Sequence, residues 1–152
     1  MSSQIPKKLY EKIHAVMPIV CIDAVIVHNG KFLLCRRNNK PCEGLFWLPG
    51  GRVLKGETLK EAVQRKTKEE TGLQGKIICQ LGTDETFFDD GPFGLPTHTV
   101  NFVYLVEVKN LKDLANDAQH NEILWITKAD RNIHPYVKKF IKLAQQYYGK
   151  SS

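Results

Sequence analysis

The 152-residue sequence predicts one α/β (α+β) domain, with a mixed β-sheet packed between helices. Three observations predict it. Strand-like apolar runs and helix-period segments follow one another in the order α-β-β-β-α-β-β-β-α. An Asn29-Gly30 pair joins two of the strand-like runs as a hairpin. No repeat or low-complexity linker divides the chain, so residues 1–152 read as a single domain.

Each element has its own signal. Residues 5–15 carry a charged helical pattern. Residues 18–28 (PIVCIDAVIVH) are β-branched and apolar, as a largely buried strand requires. Residues 32–37 (FLLCRR) are the partner strand across the Asn-Gly turn. A loop over 38–45 holds Pro41 and Gly44, and the short apolar run Leu45–Leu48 ends at Pro49-Gly50-Gly51. Glu57–Thr71 has helical spacing, and Gly72 is a natural stop. Residues 74–83, 100–108 and 122–126 read as strands. Between the first two lies ETFFDDGPFGLPTH, rich in Asp, Gly, Pro and aromatics, which reads as a loop. Apolar residues at Tyr136, Val137, Phe140, Ile141, Leu143 and Ala144 mark a closing surface helix.

Composition narrows the classes. Apolar residues at 42% and charged residues at 25% are globular proportions, so disorder, collagen and coiled coil are excluded. The apolar run Met17–Val27 is broken by Asp23 and falls short of the ~20 residues of a membrane helix. The first residues are charged rather than a secretory apolar core. Cys21, Cys35, Cys42 and Cys79 form no CxxC pair and read as thiols in a reducing compartment, so a cytoplasmic location is expected. The net charge of +6 is spread over scattered lysines, which suits a solvated basic surface or a small polyanion better than nucleic acid.

The helix over Glu57–Thr71 breaks its own pattern. At about 100° per residue, Leu59, Ala62 and Val63 share a stripe, and Lys66 and Glu70 lie within about 20° of Leu59. The inward face therefore turns from apolar to charged. Either the helix leaves the core there with both glutamates solvated, or the charges are paired, hydrogen-bonded or metal-bound. The side-chain-free Pro49-Gly50-Gly51 loop before it, with exposed carbonyls, and the carboxylates of Glu69 and Glu70 suit a hard cation such as Mg²⁺. Arg65 stands four residues before Glu69 and two turns after Glu57, where it can hold carboxylates in place.

These residues carry a signature. Gly51, Glu57, Arg65, Glu69, Glu70, Gly72 and Leu73 match the Nudix box G-x5-E-x7-R-E-U-x-E-E-x-G-U. The chain thus resembles a Nudix (MutT-like) hydrolase over most of its length. The resemblance implies an α/β/α sandwich around a mixed sheet, with Mg²⁺- (or Mn²⁺-) dependent hydrolysis of nucleoside diphosphates linked to another group. Two positions depart from the box: its first R-E-U-x-E-E glutamate is Lys66, and the following apolar position is Thr67. An ammonium neither binds Mg²⁺ nor accepts a proton.

One branch has lost that glutamate, the GDP-mannose mannosyl hydrolases. PGGRVLKGETL, Arg36-Arg37, Phe87-Phe88-Asp89-Asp90 and Gln119-His120 all resemble it. The resemblance implies that the Gly50 carbonyl, Glu70 and Gln119 bind one Mg²⁺, with Glu69 beside them. His120 would be the general base, and Arg37 and Arg52 would hold the diphosphate. Asp23 would reach a sugar hydroxyl, unless it is a capped structural carboxylate. Phe88 would stack on a ring, unless it packs in the core. Trp47 and Trp125 are expected in the core, and His98 is expected to have no role. Relatives carry His and Tyr where this chain has Thr86 and Thr99, and the loop at Gly91–Pro96 is slightly short.

The expected reaction is hydrolysis of GDP-mannose or GDP-glucose to GDP and free sugar by attack at sugar C1. A water activated by a histidine suits an oxocarbenium-like state, and arginine forks suit phosphate oxygens. Two alternatives stand beside it: pyrophosphohydrolysis at phosphorus, with Glu69 and Glu70 carrying the metal, and a catalytically silent nucleotide-binding module. The expected partner is a nucleotide sugar, with no nucleic acid or membrane, in a homodimer.

Overall fold

The computed structural model describes residues 4–114 and 122–150. In chain order the elements are α1 (Lys7–Val16), β1 (Ile19–His28), β2 (Lys31–Arg36), β3 (Phe46–Trp47) and β4 (Gly50–Arg52). They continue with α2 (Leu59–Thr71), β5 (Lys76–Phe88), β6 (Thr97–Glu107), β7 (Ile123–Ile126) and α3 (Pro135–Lys150).

β1 is the centre of the sheet. It pairs in parallel with β6 from Ile19↔Thr99 to Val27↔Glu107. On its other edge, Cys21–Asp23 pair with β4 and Ile26–His28 pair with β2, both antiparallel. β2 in turn divides one edge between β1 and β3 and gives the other to β7. β1 and β2 therefore part like a fork, and the chain from Phe46 to Arg52 fills the gap.

Both faces of β1 are covered, which is why its sequence is a near-continuous apolar run. Val25 and Val27 face α3, with Trp47, Val137, Phe140 and Ile141. Ile22, Ala24 and Ile26 face α2, with Ala62, Val63 and Leu73. The result is the α/β/α sandwich that the sequence predicts. Trp47 is buried in the α3 layer, while Trp125 is half-buried against the α2 layer. Asn29 and Gly30 both hold positive φ, 48° and 75°, as a two-residue hairpin turn requires.

α2 starts two residues later than its spacing suggests. Thr58 caps it reciprocally with Glu61, and Gly72 ends it at φ 77°. A larger difference lies in the segment read as a loop. β5 runs on through Phe88, pairing Thr86 with Thr99 and Phe88 with Thr97. Exposure alternates there, with Glu85 and Phe87 out and Thr86 and Phe88 turned in, a period of two that the acidic residues disguise. α1 buries no residue fully, and His14 ties it to β6 through Thr97 Oγ1 at 3.0 Å. No described helix is long and apolar enough to cross a membrane. All four cysteines are free thiols.

Candidate active site

A cavity of about 270 Å³ opens at the fork, between β1, β4, the end of α2 and the β5–β6 ribbon. Gly50 is fixed by its surroundings: a Cβ there would lie 2.1 Å from Asp23 Oδ1 and 2.3 Å from the Ile22 carbonyl. The ladder explains what its backbone does. Ala24 N–H donates to the Pro49 carbonyl at 2.8 Å, and Val53 N–H to the Val20 carbonyl at 3.0 Å. These bonds set the phase, so Asp23 and Gly50 form the non-hydrogen-bonded pair between them. Gly50 N–H and C=O both point away from β1. The N–H donates to Glu70, so the carbonyl opens on the same side.

Glu70 is mostly buried, with about a quarter of its side chain exposed (24%). Burial pushes its carboxyl above the usual range, against the pull of Lys66, the Gly50 N–H and Arg37. Lys66 answers the charge switch on the inward stripe. Its Nζ lies 3.3 Å from Glu70 Oε1 and 3.4 Å from Glu69 Oε2. Its stem crosses Gly51, where a Cβ would come within 2.7 Å of Lys66 Cε. Of the two readings of that stripe, pairing is the one observed.

Arg65 serves the loop. Its Nε donates to Glu57 Oε2 at 2.6 Å and its Nη2 to Glu57 Oε1 at 3.0 Å, a bidentate fork. Nη2 also reaches the Arg52 carbonyl at 2.9 Å, and Nη1 reaches both Glu69 oxygens at 3.2 Å. Glu57 accepts the Leu54 N–H as well, at 3.0 Å. Arg65 is not among the residues lining the cavity. Its place is that of a positioning residue.

The opposite wall holds Asp23. It is 7% exposed and accepts a hydrogen bond from Tyr136 Oη at 2.6 Å. Burial pushes its carboxyl up to about 7, helped by the charge of Glu70 and opposed first by the Tyr136 hydrogen bond. Tyr136 stacks flat on Trp47, at 5.4 Å between centroids. Arg37 lines the cavity with Nε anchored on the Pro41 carbonyl at 2.6 Å, which leaves its terminal amino groups as the donors for an anion. Phe88 lines it too, edge-on to Trp47. Thr86 and Thr99, at the two departures from the branch pattern, share a hydrogen bond across the ribbon and face the same space.

Arg52 and His98 lie elsewhere. Arg52 sits with its guanidinium 5.2 Å from the centroid of the Tyr10 ring on α1 and does not line the cavity. His98 pairs with Glu85 at 2.7 Å and stacks on exposed Phe87, outside the cavity. Gln119 and His120 lie outside the described residues. Spacing gave no sign of Tyr136, Cys21 or buried Asn101, all of which border the site or fix its wall. Asn101 has a signal in hindsight, as a polar residue inside an apolar strand.

Among the described residues, no three His, Cys, Asp or Glu side chains gather as a metal cage. The oxygen donors that do converge are the Glu70 carboxylate and the Gly50 carbonyl. Hard oxygen donors of this kind, few in number, fit a hydrated Mg²⁺ or Mn²⁺.

Comparisons with known proteins agree with this geometry. Residues 17–144 match the NUDIX domain family. The chain is 34% identical over 142 residues to the low-salt glycan biosynthesis protein Agl8 of Haloferax volcanii, covering 92% of this chain and 90% of that one. It is 43% identical over 91 residues to an ADP-ribose pyrophosphatase of Methanocaldococcus jannaschii, covering 60% of this chain and 52% of that one. The MutT protein of Methanosarcina mazei superposes with a TM-score of 0.70 at 26% identity, covering 86% and 96% of the two chains. With the box clamp, the sandwich and the match over residues 17–144 in hand, the chain belongs to the NUDIX domain family, as a Nudix hydrolase.

Proposed function

We propose that the protein is a Mg²⁺-dependent hydrolase of nucleotide sugars, converting GDP-mannose or GDP-glucose to GDP and free sugar by attack of water at sugar C1. The observation that carries this reading is Lys66. Where the box has a carboxylate, an ammonium lies within 3.4 Å of both Glu69 and Glu70. Attack at phosphorus by a cluster of ions needs that missing carboxylate. Attack at carbon needs a base for the water and stabilisation of the departing diphosphate, and neither requires that carboxylate. Bound at Glu70, the Gly50 carbonyl and Gln119, Mg²⁺ would offset its charge.

The chain's residues divide the rest. Arg37 holds the diphosphate from the cavity wall, and Arg52 does so if it leaves Tyr10. Asp23, held by Tyr136, accepts a sugar hydroxyl, and Phe88 lies along a ring face. His120, beside Gln119, takes the proton of the attacking water. Thr86 and Thr99 present hydroxyls to the sugar where relatives present larger rings. The name of the Haloferax relative, a glycan biosynthesis protein, supports a sugar-linked substrate. A cytoplasmic homodimer belongs to the same reading.

A second reading has support of its own. Glu69 is retained, and the Methanocaldococcus relative is named an ADP-ribose pyrophosphatase. There Glu69 and Glu70 would carry the metal, and attack would fall on phosphorus. A silent nucleotide-binding module is disfavoured by the intact Glu57–Arg65–Glu69 clamp.

Product analysis in ¹⁸O-water with Mg²⁺ over nucleotide sugars, led by GDP-mannose, separates the readings. GDP plus labelled sugar is expected, with the rate lost in His120→Ala. Nucleoside monophosphate plus sugar phosphate would move attack to phosphorus. Metal-independent binding without turnover would favour the silent module.

A further inference from the structure

We infer that Lys66 is a built-in cation: its ammonium fills the place between Glu69 and Glu70 that a second metal ion would take, and so limits the site to one divalent ion. The inference rests on the proposed metal site at Glu70 and the Gly50 carbonyl, and it assigns a new role to the residue that replaces the box glutamate.

Geometry sets Lys66 apart from an ordinary helix-surface ion pair. It touches two carboxylates at once, one turn along α2, at 3.3 and 3.4 Å. Its side chain is only 20% exposed. Its stem crosses the backbone of Gly51, on the strand that also carries the Gly50 carbonyl. A Cβ at residue 51 would meet the end of that stem and make it shift.

Charge then decides what can share the place. Glu69 is satisfied twice over, by Arg65 Nη1 on both oxygens and by Lys66 on one. A divalent ion bridging Glu69 and Glu70 would lie within a few ångströms of the Lys66 nitrogen, where repulsion between like charges in a part-buried site is strong. Glu70 has two carboxylate oxygens, and Lys66 takes Oε1. One ion can still be held there beside the Gly50 carbonyl. A second, drawn in by Glu69, cannot without expelling the ammonium. Lys66 thereby supplies a fixed positive charge of its own and leaves Glu70 with less negative charge to offer the ion that does bind.

The test counts ions rather than turnover. Mn²⁺ binding to the full chain is measured by equilibrium dialysis and by the electron paramagnetic resonance signal of free Mn²⁺, for the wild type, Lys66→Met and Lys66→Glu. Thermal melts show that each variant is folded. The wild type is expected to bind one Mn²⁺ per chain. Lys66→Met, which keeps an unbranched side chain and removes the charge, should bind it about tenfold more tightly or better. Lys66→Glu should bind at least one ion more than the wild type. Two or more ions on the wild type, or unchanged number and affinity in both variants, overturn the inference and leave the Glu70 site standing. Absence of Mn²⁺ binding in all three proteins overturns the metal reading itself, and this inference with it.

Discussion

Glu57 and Glu70 bracket the same helix, and each faces a cation, yet their environments push them in opposite directions. At Glu57 the bidentate hydrogen bonds from Arg65 hold the carboxyl below its usual range, with burial a smaller opposing effect. At Glu70 burial dominates and raises it, although Lys66 and the Gly50 N–H oppose. The difference is one of compensation. Glu57 has its charge met by a planar fork and a backbone N–H, so it is a finished structural joint. Glu70 is met by one ammonium at 3.3 Å, which Glu69 shares, and remains short of positive charge. A carboxylate left in that state is costly for the fold and well suited to an incoming cation.

That contrast can be broken from either end. The largest expected effect is at Glu70. Glu70→Gln keeps an acceptor for the Gly50 N–H but removes the charge, so activity should fall by about 100-fold or more. Because ionised Glu70 is under-compensated, the denaturant midpoint should hold or rise. A variant that loses its fold along with activity would place Glu70 with Glu57 as a structural joint. Arg65→Ala is the mirror image. It strips Glu57, whose side chain is 12% exposed, of its hydrogen-bonded cation and frees the Arg52 carbonyl. A loss of about 2–3 kcal/mol is expected in chemical denaturation, below that for breaking a fully buried pair because Arg65 is itself a quarter exposed. Arg65→Lys should recover little, since an ammonium cannot form the fork.

The comparison also shows what a sequence carries. The inward stripe of α2 marked Lys66 and Glu70 as charges that are either solvated or paired, because helical periodicity is local and fixed by geometry. The hairpin at Asn29-Gly30, the stop at Gly72 and the clamp of Arg65 on Glu57 and Glu69 were legible for the same reason: each spans a few turns or fewer. Asp23 was legible as an oddity in an apolar strand, but not its partner. Tyr136 is 113 residues away and carried only the apolar spacing of a surface helix. Arg52 shows the same limit. The family resemblance implied the diphosphate for it, while the side chain lies over Tyr10, which only the docking of α1 brings near. The outer half of β5 was missed because Asp84 and Glu85 hid a period of two that only its pairing with β6 makes plain.

The smallest expected effect sharpens the contrast through pH. The usual value for a glutamate of this kind is 4.5, and Glu57 lies below it in the folded protein. A depressed carboxyl stabilises the fold above its unfolded value, and that contribution fades as pH falls through the folded value. The Glu57 contribution should therefore be complete at neutral pH and decline only below 4.5. Denaturant midpoints of the wild type and Glu57→Gln should then differ most near neutrality and converge in acid, as the wild type loses what the variant never had. Glu70 must not enter the difference, so the pair is best compared in a Glu70→Gln background, where the raised carboxyl and its opposite slope are absent. A gap between the two proteins that widens in acid would mean that Glu57 binds its proton more tightly folded than unfolded. In that case Arg65 would not be the residue that sets its charge.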